Sequence, residues 1–137
     1  MNRQSFALIF FFSLYTLAAP RAFAAAADKQ LELNGKSVTF QYVVGDLLVS
    51  RDCGGPGATC QALQKARIAT TRGIESIGGA EPGSLICRKL GGKFLIARDK
   101  NKNEYSFCVF EDGSMTSNAT LYSEALRNDT ERRKQAR

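Results

Sequence analysis

The stretch from Glu81 to Phe110 reads EPGSLICRKLGGKFLIARDKNKNEYSFCVF and carries the most regular pattern of the chain. Pro82 suits the first turn of a helix, and Gly91-Gly92 suits its end because glycine accepts the left-handed conformation found there. Lys93–Arg98 and Glu104–Phe110 have the strand pattern of alternating faces and are separated by a polar turn. These residues therefore predict a helix followed by a β-hairpin.

A second helix is predicted beyond this hairpin. Asp112-Gly113-Ser114 is a typical turn, and a helical pattern then runs from about Thr116 to Arg127. In the first strand of the hairpin, Phe94 and Ile96 share one face. The predicted layout of residues 81–127 is therefore helix-strand-strand-helix.

The residues before this module predict a region of short strands. Leu31-Glu32-Leu33 alternates, and Asn34-Gly35 after it is the strongest short signal of a hairpin because both residues tolerate a positive φ. The partner strand would run from Ser37 to Val44, with another short strand within Asp46–Ser50.

A short helix completes the first part of the chain. It is predicted from Gln61 to Ala69, with Thr59 as a possible capping residue. The predicted fold class is α+β: a small disulfide-stabilised domain with an N-terminal β-hairpin region over residues 25–80 and the helix-strand-strand-helix module over residues 81–127.

The first 24 residues have the three parts of a secretory signal. Arg3 supplies a positive charge, Phe6 to Ala19 is an uncharged run, and Ala22-Phe23-Ala24 fits the cleavage pattern. The run is shorter than the roughly 20 residues that a membrane-spanning helix needs. We expect removal of residues 1–24, export to the periplasm or beyond the cell, and no transmembrane segment afterwards. An uncleaved N-terminal anchor is the alternative.

All four cysteines lie in the part that would be exported: Cys53, Cys60, Cys87 and Cys108. An even number of cysteines in an oxidising compartment indicates disulfides, and three pairings are possible. We favour the local pairs Cys53–Cys60 and Cys87–Cys108, of which the second would pin the first helix of the module over the hairpin. A zinc site of four thiolates is the alternative, but the closely spaced cysteine pairs of such sites are missing.

The composition removes several classes of active site. The chain of 137 residues has no His, so it has no Ser-His-Asp triad, no Cys-His nucleophile pair and no His-ligated metal site. The carboxylates considered for acid–base chemistry are Asp99, Glu104, Glu111 and Asp112. Asp99 and Asp112 fall in turns, where short acids usually bind the backbone. We predict no catalytic residue, cofactor or metal site, and hence a protein that is not an enzyme.

Basic residues outnumber acidic ones by 19 to 13, which gives a formal charge of +6. Loss of Arg3 and Arg21 with the signal would lower this charge to +4. Acids interrupt both basic groups, and the chain lacks the interleaved aromatic residues of a single-stranded nucleic-acid site, so no nucleic acid is expected. The groups are Arg88, Lys89, Lys93, Arg98, Lys100 and Lys102 in the module, and Arg127, Arg132, Arg133, Lys134 and Arg137 around a basic tail of residues 128–137.

These observations predict an exported, non-enzymatic binding or envelope-associated protein. Its partner would be an anionic envelope surface, which either basic group could contact, or another protein. The alternative is a secreted inhibitor or toxin-like effector that acts on another protein or a membrane. A loop closed by Cys53–Cys60 suits an inhibitor, because a preorganised loop loses less entropy on docking.

Three blocks of the module resemble a known family. Glu81–Cys87, Gly91-Gly92-Lys93 and Tyr105–Ser114 are similar to the short Cys-containing domain of exported bacterial proteins catalogued as "putative haemolysin". That domain reads N-P-A-S-x-x-C, then a G-G-K turn, then Y-G-x-C-x-F-x-D-G-S. The resemblance covers Glu81 to Tyr122 and implies export and a compact disulfide-bearing domain, but no mechanism. No apolar run outside the signal approaches membrane-spanning length, so the residues give little support to pore formation.

The chain departs from this family pattern at three positions. Glu81 stands where the family has Asn, and Ser106 stands where it has Gly. Thr116 occupies a position at which members often carry a third Cys. The missing cysteine agrees with a bond between Cys87 and Cys108, since each then has only the other nearby.

Overall fold

The architecture comes from a computed structural model, which describes residues 28–43, 46–53, 57, 59–75 and 78–137. The predicted secretory signal, residues 1–24, lies outside the described residues. Within the described part, six strands and three α-helices form a small mixed α and β fold that contains two disulfides.

The predicted N-terminal hairpin is confirmed. Strand β1 (Lys29–Leu33) pairs antiparallel with β2 (Lys36–Val43), and Leu33 lies opposite Lys36. The two turn residues have positive φ values, 51° at Asn34 and 77° at Gly35, as the dipeptide predicts. Strand β3 (Leu47–Ser50) follows and pairs antiparallel with β2.

The next elements also lie close to their predicted positions. Helix α1 spans Gln61–Ile68 and helix α2 spans Pro82–Lys89, with Pro82 in its first turn. Strands β4 (Lys93–Arg98) and β5 (Glu104–Val109) form the predicted antiparallel hairpin.

The predicted C-terminal helix is wrong at both ends. Met115–Ser117 is a third strand of the module, β6, and helix α3 begins at Asn118 and continues to Gln135. The layout of the module is therefore helix-strand-strand-strand-helix, and most of the predicted tail 128–137 is helical. Three residues are too short for a period-2 pattern, and Thr116 is fixed by a distant partner, because its hydroxyl donates to the carbonyl oxygen of Leu48 at 3.0 Å.

The two predicted regions share one sheet. The strands close into a barrel in the order β1-β2-β3-β6-β5-β4. Val49 of β3 pairs with Thr116 of β6, and Glu32 of β1 pairs with Arg98 of β4. Each of these two seams has a single residue pair, whereas β4 and β5 share six.

Apolar side chains form two clusters, one on each face of this sheet. The first includes Phe40 and Phe107, which are fully buried and stack with ring centroids 4.2 Å apart. The second lies between the other face and the helices and includes Val49, Ile86 and Leu121. The helices therefore pack on only one face of the sheet, and their arrangement determines which side chains are exposed on that face.

The disulfides connect the helices to this framework. Cys53 bonds to Cys60 just before α1, and Cys87 of α2 bonds to Cys108 of β5. This is the local pairing that we favoured, and the structure holds no free cysteine among the described residues. Gly92 passes so close to the second bond that a Cβ there would lie 2.9 Å from the sulfur of Cys87 and closer still to that of Cys108.

Candidate functional site

The three helices run in the same direction over the sheet. At their N-terminal ends, the backbone N–H of Ala62 in α1 donates to the hydroxyl of Ser114, shortly before α3 begins. Gly83 in α2 lies against the backbone of Asn118, where a Cβ would not fit. At the other end, the amide nitrogen of Asn128 in α3 donates to the carbonyl oxygen of Ala66 in α1 at 2.9 Å. The C-terminal ends of α1 and α2 therefore meet the second half of α3.

A buried carboxylate organises this meeting point. Asp129 of α3 accepts hydrogen bonds from the hydroxyl of Thr70 at 2.7 Å and from the backbone N–H and hydroxyl of Thr71 at 2.8 and 2.7 Å. Arg132 donates to it at 2.7 Å. Burial by itself raises the pKa of Asp129, but these hydrogen bonds favour the charged form and hold the pKa of the carboxyl well below its ordinary value.

Basic side chains collect around this carboxylate. The last turn of every helix is basic, and cations at helix C-termini interact favourably with the partial negative charge there. The ammonium of Lys89 donates to the carbonyl oxygen of Arg72 at 2.5 Å, which ties α2 to the loop that holds Asp129. We name this group the cationic end; it consists of Arg67, Arg72, Arg88, Lys89, Arg132 and Arg133.

Little acid opposes the cationic end. Arg132 forms an ion pair with Asp129, but the other five cations form none with any described carboxylate. Glu75 lies nearest, on the rim of a shallow depression of about 390 Å³ that Arg88 and Lys89 also line. Ile68, which is 61% exposed, adds an apolar side chain beside Arg67.

The two basic groups seen in the sequence are divided differently in space. Arg88 and Lys89 belong to the cationic end together with basic residues of α1 and α3. Arg98 ends β4, and Lys100 and Lys102 follow it in the turn to β5. In the C-terminal group, Arg127 pairs with Glu124 and Lys134 with Glu131, both one turn away on α3. Sequence reasoning missed Arg67 and Arg72, because the loop between them, at Thr70 and Thr71, is joined to α3 by a carboxylate about 60 residues away in the chain.

The acidic candidates do not come together. Asp99 accepts a hydrogen bond from the side-chain amide of Asn103, which lowers its pKa most, and others from the backbone of Asn101 and Asn103 and from the hydroxyl of Tyr105, which lower it further. Glu104 pairs with Arg98 at 2.6 Å beside the same turn. Glu111 and Asp112 lie beyond the other end of β5, a strand of six residues.

Asp112 caps α1 instead of Thr59. The backbone N–H of Gln61 donates to its carboxylate at 2.7 Å, and the hydroxyl of Ser114 donates to it at 2.5 Å. These hydrogen bonds lower the pKa of Asp112 although burial opposes them. The expectation for Thr59 is wrong because the N-cap position is Cys60, and the helix has no side-chain cap from its own segment.

Two departures from the family pattern contact each other. The hydroxyl of Ser106 donates to the carboxylate of Glu81 at 2.6 Å. Glu81 is the N-cap residue of α2 and Ser106 lies on β5, so this hydrogen bond joins the same two elements as the bond between Cys87 and Cys108.

The described residues contain no group of three or more His, Cys, Asp or Glu side chains that could hold a metal ion. Of the helices in this part of the chain, none combines the length and the apolar character needed to cross a membrane.

Comparison with known proteins finds a similarity within the module. Residues 78–125 match the family model described as "Domain of unknown function (DUF333)". The match covers α2, the three strands of the module and the first eight residues of α3, and it contains the whole segment in which the resemblance was seen. Its description assigns no activity. Neither the curated proteins nor the solved structures provide a match.

Proposed function

We propose that this chain is an exported, non-enzymatic binding protein that attaches to an anionic surface of the cell envelope through the cationic end. The observation that carries this proposal is the meeting of three basic helix ends on one side of the molecule. Arginine guanidinium groups bind phosphate oxygens in pairs, so a phosphate-bearing lipid surface fits this set of side chains best.

The cations of the cationic end together contribute a substantial free energy of binding to an anionic membrane. A Lys or Arg near an anionic membrane surface contributes about 1 kcal/mol at moderate ionic strength. Five cations of the cationic end have no described carboxylate partner, and four of the five lie on helices. Exposed Ile68 can add an apolar contact at the same surface.

The site is also held in shape. The hydrogen bonds of Asp129 join α3 to the loop after α1, and the bond between Cys87 and Cys108 fixes α2 to the sheet. A rigid arrangement of cations loses little conformational entropy on binding, so more of the electrostatic attraction appears as affinity.

Export is supported by the cysteines. Two disulfides persist in oxidising compartments, where they raise the stability of small domains, and they are rare in the cytosol. The secretory pattern of residues 1–24 points to the same compartment.

A vesicle experiment tests the proposal. The full chain is sedimented with vesicles of phosphatidylglycerol and phosphatidylcholine, and with vesicles of phosphatidylcholine alone, at low and high salt. We expect binding to the anionic vesicles only, and a loss of binding as salt is added.

Charge-matched variants locate the surface. Arg88→Glu with Arg133→Glu should weaken vesicle binding at least about tenfold. Lys36→Glu with Lys100→Glu changes the net charge equally at exposed positions away from the cationic end and should weaken it much less. Equal losses in the two variants, or binding that resists salt, would overturn the proposal. A stoichiometric protein partner retained at high salt would favour the inhibitor instead.

A further inference from the structure

The barrel leaves part of one strand without a partner. β4 pairs with β5 along all of its six residues, but on its other side it pairs with β1 only where Arg98 lies opposite Glu32. In this register β1 ends at Leu33, opposite Ala97, and the chain then turns at Asn34. Lys93–Ile96 therefore extends past β1, and no described strand pairs with it on that side; we name these residues the free edge.

The free edge exposes apolar side chains. Phe94 is 46% exposed and Ile96 is 36% exposed, on the same face of β4. Their cross-strand partners on that face are Cys108 and Ser106, which α2 covers through the disulfide and Glu81. Helix α2 contacts both β5 and the neighbouring strand β4, but it leaves Phe94 and Ile96 partly exposed.

An exposed strand edge can pair with a further strand. The four residues span about 14 Å, and since successive residues point their N–H and C=O groups to opposite sides, about two of them offer unpaired groups on the side away from β5. Proteins that bind partners by strand addition combine such main-chain hydrogen bonds with contacts to alternate side chains of the added strand. The free edge offers both, because Phe94 and Ile96 are spaced two residues apart.

The basic residues around the free edge favour an acidic partner strand over a second copy of this chain. Lys93 lies at its start and Arg98 just beyond its end, followed by Lys100 and Lys102; of these four, only Arg98 pairs with a described carboxylate, Glu104. A second copy paired antiparallel along these four residues would place each Lys93 opposite Ile96 of the other copy and diagonal to its Arg98, so that cations of the two copies approach each other. An acidic strand meets no such repulsion.

We propose that the free edge binds an extended segment of a partner protein, in which acidic residues alternate with or flank apolar ones, and that this segment adds to the sheet beside β4. The free edge and the cationic end have no residue in common. The segment would hydrogen-bond to the backbone of Lys93–Ile96 and place its apolar side chains against Phe94 and Ile96.

A peptide of alternating Glu and Val residues, labelled with a fluorophore, serves as the probe. Fluorescence anisotropy with the full chain should show binding that weakens when Lys replaces Glu in the peptide. Two further peptides are N-methylated at alternate residues, each along one of the two edges of the extended peptide. The peptide methylated along the edge that faces the protein should not bind, because it lacks the donors that strand addition needs. Amide hydrogen exchange within Lys93–Ile96 should slow when the unmodified peptide binds.

Variants of the chain place the probe on this edge. Phe94→Ser with Ile96→Ser should weaken peptide binding at least about tenfold. Tyr42→Ser removes a side chain of similar exposure, 42%, from β2 and should leave binding unchanged. Arg88→Glu with Arg133→Glu should also retain peptide binding, whatever it does to vesicle binding, so the two proposals fail separately.

Three results would overturn this inference. One is equal binding of the peptide to the wild-type chain and to the Phe94 and Ile96 double variant. Another is equal binding of the N-methylated peptides, which would exclude strand addition. The third is a dimer in sedimentation that disappears in the double variant, since it would assign the edge to a second copy of the chain.

Discussion

Asp129 is the single side chain on which the helical layer depends most. It is 5% exposed, and both of its oxygens accept hydrogen bonds from the loop after α1. A buried carboxylate is costly unless it is paired and hydrogen-bonded, so its partners decide whether it stabilises the fold. Here Thr70, Thr71 and Arg132 supply those partners, which explains why a polar residue occupies the inner side of α3.

Replacing this carboxylate should destabilise the protein in a pH-dependent way. We expect Asp129→Asn to lower the free energy of unfolding by about 2 kcal/mol at neutral pH, because hydrogen bonds to a charged acceptor are lost. The depressed pKa of Asp129 means that its contribution is full above the unfolded value of about 3.9 and is lost as pH falls through the lower folded value. Urea unfolding between pH 2 and pH 7 measures both effects.

The same helix offers a control for this prediction. Glu131→Gln removes an exposed carboxylate that pairs only with Lys134, and it should change the unfolding free energy by less than about 0.5 kcal/mol. If the Asp129→Asn chain kept the full acid sensitivity of the wild type below pH 4, the role assigned to this group would be wrong.

At the scale of elements, α1 depends on a turn that is distant in sequence. Its first N–H groups bind Asp112 and Ser114, in the turn between β5 and β6. The amide side chain of Gln61 returns a contact, accepting the backbone N–H of Glu111 at 3.2 Å. This reciprocal arrangement places the start of α1 beside the turn that leads to β6 and α3, and it therefore helps to set the direction in which the basic end of α1 points.

Removal of this cap should loosen α1 locally. Asp112→Ala should cost about 1 kcal/mol, the usual value for loss of a side-chain cap, and should speed amide hydrogen exchange at Gln61. Glu111→Ala, at the adjacent exposed position, and Thr59→Ala should have little effect on either measurement. If hydrogen exchange at Gln61 became faster in the Thr59 variant but not in the Asp112 variant, Thr59 would be the capping residue, as the sequence predicts.

At the scale of the whole molecule, two narrow seams and two disulfides hold the parts together. The barrel closes through one residue pair between β1 and β4 and one between β3 and β6. The bond between Cys87 and Cys108 joins the helical layer to the sheet, while the bond between Cys53 and Cys60 closes a short local ring. The two disulfides should therefore contribute unequally.

Removing each disulfide separately measures this difference. The chain-entropy relation gives about 3.4 kcal/mol for the longer ring and about 2.5 kcal/mol for the shorter one. Cys87→Ser with Cys108→Ser also removes the covalent link between α2 and β5 and leaves the hydrogen bond between Ser106 and Glu81, so we expect this variant to lose part of its vesicle binding as well as stability. Cys53→Ser with Cys60→Ser should retain vesicle binding at temperatures where it remains folded. The opposite ranking of the two variants in unfolding experiments would contradict this account.

Local chemistry was enough to predict many elements of this protein. Asn34-Gly35 predicts its turn because both residues tolerate positive φ, and Pro82 with Gly91 marks the ends of α2 because of their backbone preferences. The cysteine pairing also followed from short separations. Each of these features depends on residues close together in the chain.

Only the tertiary structure decided what long-range contacts control. β6 forms because Thr116 pairs with both β3 and β5. Helix α1 begins at Gln61, whose backbone N–H donates to Asp112 in the turn after β5. The cationic end and the free edge arise in the same way, from helices that Asp129 helps to join and from a β1 strand that pairs with β4 only at Arg98. Sequence periodicity indicates the face of an element on which a residue lies, but it does not indicate which distant element covers that face. The packing of distant elements therefore determines the two surfaces through which we propose that the protein acts.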